Sequence, residues 1–254
     1  MIVASRSARL LISLLVIVSS AAACDGGLIH RYSFNQPIVK DSVGNVDATL
    51  KGAAKIADGK LVLENTDKTS GDDGVSYLEF NSSVLPKTGS VSLLIWLTEK
   101  ENPQYVRIID FGDKSGAEGQ AFIYLTSRHD SDQTKAAITA SDTGSKTDID
   151  GKRLDDGKPH MAAIVIDGPA AKLHLFIDGQ ESAAAVDLGD NTLDKVNPVH
   201  CWLGRSGFDA DPGLSANIDE FRVYDSPLTA DEVAAVYKAG PGALSPAAPT
   251  ANGK

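Results

Sequence analysis

The 254 residues carry 34 acidic against 24 basic side chains, a formal charge of −10, with 42% hydrophobic and only 6% aromatic residues. That is enough chain for one large domain with a sizeable core, and no obvious linker divides it. The acidic balance argues against nucleic acid and anionic membrane surfaces as partners, and no basic run overrides it.

Arg6 and Arg9 precede the apolar run Leu10 to Val18, and the small residues Ser19 to Ala23 follow. This is the layout of a secretory signal peptide over residues 1–23, with an apolar run too short to span a membrane. Cys24 comes next, and Cys201 is the other cysteine. Two explanations of Cys24 stand side by side. As the first residue after cleavage it would carry a lipid anchor, although Ala21 replaces the leucine usual three positions earlier. After export to an oxidising compartment it would instead form a disulfide with Cys201. Membrane attachment follows only from the first, and both place the protein outside the cytoplasm, secreted or in the cell envelope.

Leu28 to Phe34 reads as the first strand, with Leu28, His30, Tyr32 and Phe34 on one side. The loop Asp41 to Asp47 is small and acidic, and Ala48 to Lys51 resumes extended structure. Asp58-Gly59 between Ala53–Ala57 and Lys60–Glu64 predicts a hairpin, because a type I′ turn needs positive φ at both central positions. Asn65 to Gly74 is a polar loop and Tyr77 to Phe80 a short strand. Ser90 to Thr98, Val106 to Phe111 and Ala121 to Thr126 are apolar on both faces, as central strands are. His129 to Gln133, Ser141 to Lys146 and Asp150 to Lys158 read as polar connections of the kind that often carry binding residues. Met161 to Asp167 and Lys172 to Ile177 form a long hairpin, Val199 to Gly204 is another strand, and Gly207 to Gly213 is a loop holding Asp209 and Asp211.

From Ile218 the residues alternate again, which puts Asp219, Phe221 and Val223 on one face and Ile218, Glu220, Arg222 and Tyr224 on the other. A carboxylate entering an apolar layer at Asp219 is costly unless hydrogen bonds or a cation meet it. A helix then begins at Thr229, the N-cap, with Glu232 completing a capping box and Leu228 stapling onto Val233. Val233, Val236 and Tyr237 form its apolar stripe, and Gly240-Pro241 stops it. The tail, residues 241–254, is rich in Pro, Ala, Gly and Ser and is expected to be disordered, which leaves a folded domain over 24–240.

The stretch N-I-D-E-F-R-V-Y-D-S-P-L-T-A-D-E-V from Asn217 resembles the C-terminal signature of bacterial LamG-like domains, in which an I-D-E-V-R-I-Y strand runs into an L-[ST]-x-x-E-I helix. Similar matches lie in L-I-H-R-Y-S-F from Leu28, D-S-V-G-N from Asp41, the strand at Ser90 to Thr98, H-M-A-A-I-V-I-D-G from His160 and L-H-L-F-I-D-G-Q from Leu173. The resemblance covers roughly the whole chain after the leader. It implies an all-β, concanavalin A-like sandwich of two antiparallel sheets, a jelly roll with one short C-terminal helix, and it leaves function open. It also implies a structural calcium ion between the D-S-x-G-N loop and the acidic residue of the last strand. Asp41, Asn45 and Asp219 match by position and Gly44 offers a carbonyl, while Val43 departs from the usual small polar residue. Without a metal, Asp41 and Asn45 make Asx turns and Asp219 bonds loop amides.

Catalytic signatures are missing. Sandwich glucanases present paired carboxylates as E-x-D-x-x-E, which does not occur here, and Asp219-Glu220 would point to opposite faces. The histidines His30, His129, His160, His174 and His200 have no metal spacing. A sugar-binding surface would draw on Trp96, Tyr105, Tyr124, Trp202, Arg128 and Arg205, but aromatics on apolar strands belong to cores more often than to platforms, so no ligand-binding residue is singled out. The reading is a non-catalytic recognition or scaffolding module that binds a glycan or a surface protein. The alternative is a divergent sandwich-fold glycoside hydrolase or polysaccharide lyase.

Overall fold

Period-two alternation and turn chemistry together build sixteen strands and one helix in the computed structural model, which describes residues 27–87, 89–113, 120–140 and 145–243. Residues 1–26, with the expected signal peptide and Cys24, and residues 244–254 lie outside the described residues. In chain order the strands are β1 (Leu28–Tyr32), β2 (Ala48–Lys51), β3 (Lys55–Ala57), β4 (Lys60–Leu63), β5 (Tyr77–Phe80), β6 (Val91–Glu99), β7 (Arg107–Gly112) and β8 (Phe122–Thr126). They continue with β9 (Thr134–Thr139), β10 (Lys146–Gly151), β11 (Pro159–Asp167), β12 (Lys172–Ile177), β13 (Gln180–Glu181), β14 (Val186–Asp187), β15 (His200–Leu203) and β16 (Ala216–Tyr224), and α1 spans Ala230–Ala239. Asp58 and Gly59 sit at φ 52° and 72°, so the β3–β4 hairpin turns as its two residues dictate.

All pairings between these strands are antiparallel. A nine-stranded sheet runs β13-β12-β11-β6-β16-β4-β3, with β1 beside β16 and β14 beside β12. A seven-stranded sheet runs β10-β9-β8-β7-β15-β5-β2. Their facing sides enclose one continuous core that includes Leu93, Ile95, Phe111, Ile123, Ile164, Leu175, Leu203 and Phe221. Cys201 is fully buried in this core, where burial pushes its thiol pKa upward. The result is the two-sheet sandwich with one short helix that the sequence leads one to expect.

A second, smaller core lies on the outer side of the nine-stranded sheet. There Leu94, Trp96, Met161, Ala163, Val165, Phe176 and Tyr224 point away from the sandwich and are covered by Leu228, Val233 and Val236. The helix that covers them is started by a complete capping box: Thr229 accepts from the Glu232 amide and Glu232 accepts from the Thr229 amide. Gly240, at φ 80°, ends it. Tyr237, expected in the apolar stripe, is instead 42% exposed.

Two expectations need correction. Lys146, Asp150 and Gly151, read as parts of polar connections, belong to β10, which pairs with β9 at one edge of the seven-stranded sheet. The sequence K-T-D-I-D-G buries only Ile149 and Gly151, which hides the alternation of a half-solvated edge strand. The face assignment of β16 holds from Glu220 to Tyr224 and fails at Ile218 and Asp219. Ile218 pairs with Leu97 and Glu220 with Trp96, so Asp219 is an extra residue in a β-bulge. Ile218 therefore joins Phe221 and Val223 in the main core, while Glu220, fully buried, points outward with Arg222 and Tyr224. The bulge sits where β16 exchanges β4 for β1 as its second neighbour.

Candidate functional site

The buried acid of the last strand is thus Glu220, and it meets two cations. Arg31 donates to it in a fork, Nε to Oε1 at 3.0 Å and Nη2 to Oε2 at 2.9 Å, and Arg222 pairs with Oε1. Gly242 N donates to Oε2 at 2.9 Å, and Arg222 Nη2 donates to the Ala243 carbonyl at 2.7 Å. The chain after α1 is tied back to the sheet through Ala243, three residues beyond the boundary expected at 240. A buried pair of this geometry resists removal of one partner strongly, because the survivors stay buried without compensation. These contacts give the network a structural role.

The residues offered for calcium do not form one donor set. Asp41 Oδ1 accepts from the amides of Arg31, Val43 and Gly44 at 2.9–3.1 Å, and Oδ2 accepts from Val46 N and lies 2.5 Å from His30 Nδ1. Burial acts upward on this carboxyl, but the His30 contact and the amides outweigh it and hold its pKa below the usual range. Asn45 is exposed, and Asp219 is ion-paired with Lys60. Strand β1 runs between them: one edge of Arg31 serves the Asp41 loop, through Ser42 N to Arg31 O at 2.9 Å, and the other pairs with Arg222. Bound in this way, the donors do not fit a calcium ion bridging loop and last strand.

The outer side of the seven-stranded sheet is different in kind. Register places Asp148, Ala137, Tyr124, Asp110, Trp202, Glu79 and Thr49 in one cross-strand row. At about 4.8 Å per strand, seven strands make a row roughly 29 Å long. Each outward residue alternates with core neighbours, as Trp202 does between Cys201 and Leu203. No described strand or helix packs over this row. At one end Tyr77 meets Trp202 edge-on at 5.5 Å, and the Arg205 guanidinium stacks 4.5 Å from Trp202 and 4.8 Å from Tyr77. Trp202 Nε1 donates to Glu79 at 3.3 Å, and Lys51 closes on the same carboxylate at 2.7 Å.

The middle is knit by a buried histidine. His200 stacks on Trp202 at 4.1 Å and shares a hydrogen bond with Asp110 at 2.9 Å. Gly112 makes room for it, since a Cβ there would stand 2.9 Å from the imidazole. Arg107 lies 3.6 Å from both Asp110 and Asp211 and 3.9 Å over the Tyr124 ring, with Nε and Nη1 buried and free of hydrogen bonds. Burial raises the Asp211 pKa, and the Ser206 hydroxyl and Arg107 only partly offset it. At the other end Phe122 stacks on Tyr124 at 5.6 Å, and Lys146 donates to the Tyr124 hydroxyl at 3.2 Å. Burial raises the Asp148 carboxyl, but Lys146 and Lys135 outweigh it and leave its pKa lowered.

Of the six residues a sugar surface would draw on, Tyr124, Trp202 and Arg205 share this face. Trp96 lies on the other sheet, in the small core. Tyr105 packs against His129 at 5.2 Å, and Arg128 is held by Glu101 and Asp132. Sequence reasoning missed Tyr77, Glu79, Arg107, Asp110 and His200. Their signal was present: V-R-I-I-D-F and H-C-W-L each set polar or aromatic residues among core aliphatics. Val106 to Phe111 is therefore not apolar on both faces.

With two antiparallel sheets and a helix over one outer face described, the class is that of concanavalin A-like sandwiches. The Laminin_G_3 model, of the concanavalin A-like lectin/glucanases superfamily, matches residues 72–234, and the chain belongs to this family. No curated protein matches it. Among solved structures it is similar to domain 4 of AbnA, a GH43 extracellular arabinanase from Geobacillus stearothermophilus, in complex with arabinotriose. That match has a TM-score of 0.59 at 22% identity and covers 82% of this chain and 96% of that one. It is also similar to the receptor-binding domain of botulinum neurotoxin C/D mosaic serotype, with TM-score 0.64, 13% identity and coverage of 84% and 51%. The binding domain of botulinum neurotoxin DC in complex with rat synaptotagmin II matches at TM-score 0.61 and 13% identity, with coverage of 84% and 51%. The chain thus spans about half of the neurotoxin binding domains it resembles. At these identities the likeness shows the fold.

Proposed function

We propose that this protein is a non-catalytic recognition module acting outside the cytoplasm, and that it binds an extended glycan along the outer face of the seven-stranded sheet. The observation that carries this reading is the polar and aromatic row from Tyr77 and Trp202 to Tyr124 and Lys146, whose Trp202, Asp110 and Tyr124 are buried while Tyr77, Glu79, Arg205, Asp148 and Lys146 reach the surface around them. The partly exposed rings of Tyr77 and Phe122 offer apolar surface to sugar rings, while Arg205, Glu79, Asp148 and Lys146 offer donors and acceptors to hydroxyls. The arabinotriose held by the similar arabinanase domain supports a glycan over a protein partner. The test is a glycan array probed with the chain and with Tyr77→Ala and Arg205→Ala, both partly exposed positions. Binding to a defined oligosaccharide class, weakened about tenfold or more by each variant at unchanged melting temperature, is the expected result.

One observation favours hydrolysis as a second reading. Asp110 and Asp211 flank Arg107, and Asp211 has the raised pKa of a proton donor. Release of reducing ends from an array-positive polysaccharide, abolished in Asp211→Asn, would establish it. The recognition reading expects no release.

A further inference from the structure

The opposite side of the sandwich holds a cavity of about 550 Å³ between the C-terminal end of α1 and strands β6, β11 and β16. Trp96, His160, Lys60, Asp219, Tyr237 and Pro241 are among its walls. Trp96 is 5% exposed, and its indole N–H has no hydrogen-bond partner among the described residues. That N–H has no accessible surface, so what Trp96 presents to the groove is other than this donor. Across the cavity, Lys60 and Asp219 form an ion pair whose side chains are 36% and 21% exposed. Asp219 is brought there by the β16 bulge, which turns it away from the main core. His160 is a fixed wall: its Nδ1 is held by Asp178 at 2.9 Å and its Nε2 by Asp156 at 3.0 Å.

We propose that this groove is a second ligand site, distinct from the seven-stranded face, and that it takes a single sugar ring. The lining sets a donor and an acceptor, the Lys60 ammonium and the Asp219 carboxylate, beside Trp96, Tyr237 and Pro241. A hydroxyl both donates and accepts, so it can lie between the Lys60 and Asp219 groups without stripping either of a partner. A strongly charged ligand would have to break that pair. The cavity of about 550 Å³, lined in part by the end of α1, has room for a ring, whereas the seven-stranded face presents a long cross-strand row.

The chain has two tryptophans, one beside each site, so each site has its own indole N–H signal in a ¹⁵N-labelled sample. The full chain is titrated separately with L-arabinose, D-glucose and N-acetyl-D-glucosamine. The Trp96 signal is expected to shift saturably with at least one of them, with millimolar affinity. Asp219→Ala is expected to weaken that response about tenfold or more, while the Trp202 signal and the melting temperature hold. Sugars that leave Trp96 unmoved, or a shift that Asp219→Ala does not change, would overturn the proposal. Movement at Trp202 alone would place the sugar on the seven-stranded sheet and also overturn it. The glycan reading of that sheet is judged separately, by the Trp202 signal.

Discussion

The two outer faces of the sandwich solve the same problem in opposite ways. On the nine-stranded sheet the outward positions are Leu94, Met161, Val165, Phe176 and Tyr224, and the chain covers them with its one helix. On the seven-stranded sheet they are Tyr77, Glu79, Asp110, Tyr124, Asp148 and Trp202, and no described strand or helix covers them. Apolar outward residues need a lid to leave water, whereas the centre of the polar-aromatic row is buried by its own ring stacking and ion pairs and by the loop that brings Gly207 to Asp110 and Asp211 to Arg107. The partly exposed side chains of that face, Tyr77, Glu79 and Arg205 among them, are where a ligand can add its own contacts.

The largest expected effect sits under the lid. Glu220→Ala leaves Arg31 and Arg222 buried without their carboxylate and should cost about 3–5 kcal/mol in denaturant unfolding. A loss under about 1 kcal/mol would mean that the network contributes little. Leu228→Ala, in the small core, should cost about 2–5 kcal/mol. Tyr77→Ala, on the open face, should cost less than about 1 kcal/mol, as surface changes do. Equal losses for the two would erase the distinction between covered and open faces.

A fourth variant contrasts two buried glutamates. Glu220 has two arginines, but Glu99 has Asn102 Nδ2 at 2.7 Å, and burial, the dominant cause, raises its pKa from 4.5 to about 8. A group whose folded pKa lies above its unfolded one binds more protons when native, so its stabilising contribution is complete below pH 4.5 and lost as pH rises through 8. Stability should therefore fall by about 1–3 kcal/mol from pH 5 to pH 8, and Glu99→Gln should flatten that slope. An unchanged slope in the variant would assign the pH dependence elsewhere. The smallest effect concerns calcium: with Asp41 taken by amides and His30 and Asp219 by Lys60, melts in chelator and in millimolar calcium should superimpose. A rise in calcium that Asp41→Asn removes would show the donors regrouping around an ion.

Much of the fold was legible because local chemistry and tertiary packing agree in it. Asp58-Gly59 adopts the positive φ values its turn needs, and Thr229 with Glu232 starts the helix where their spacing says it should. The site was harder to read. One extra residue at Asp219 reverses every face assignment before it, and a bulge depends on which strands flank β16, which no local pattern records. The same limit hid the open row: Asp110, Trp202 and Glu79 lie far apart in sequence and become neighbours only through antiparallel register. Edge strand β10, mostly polar, carries its signal in Ile149 alone among large apolar residues.

The central claim is that the seven-stranded face, and not the helix-covered one, receives an extended glycan. Its most direct test is a titration of the ¹⁵N-labelled chain with the best oligosaccharide from the array, reading the Trp202 indole N–H that donates to Glu79. A saturable shift at Trp202 that is lost in Tyr77→Ala is the result this account predicts. An oligosaccharide that binds while leaving Trp202 unmoved, or an array with no ligand at all, would contradict it.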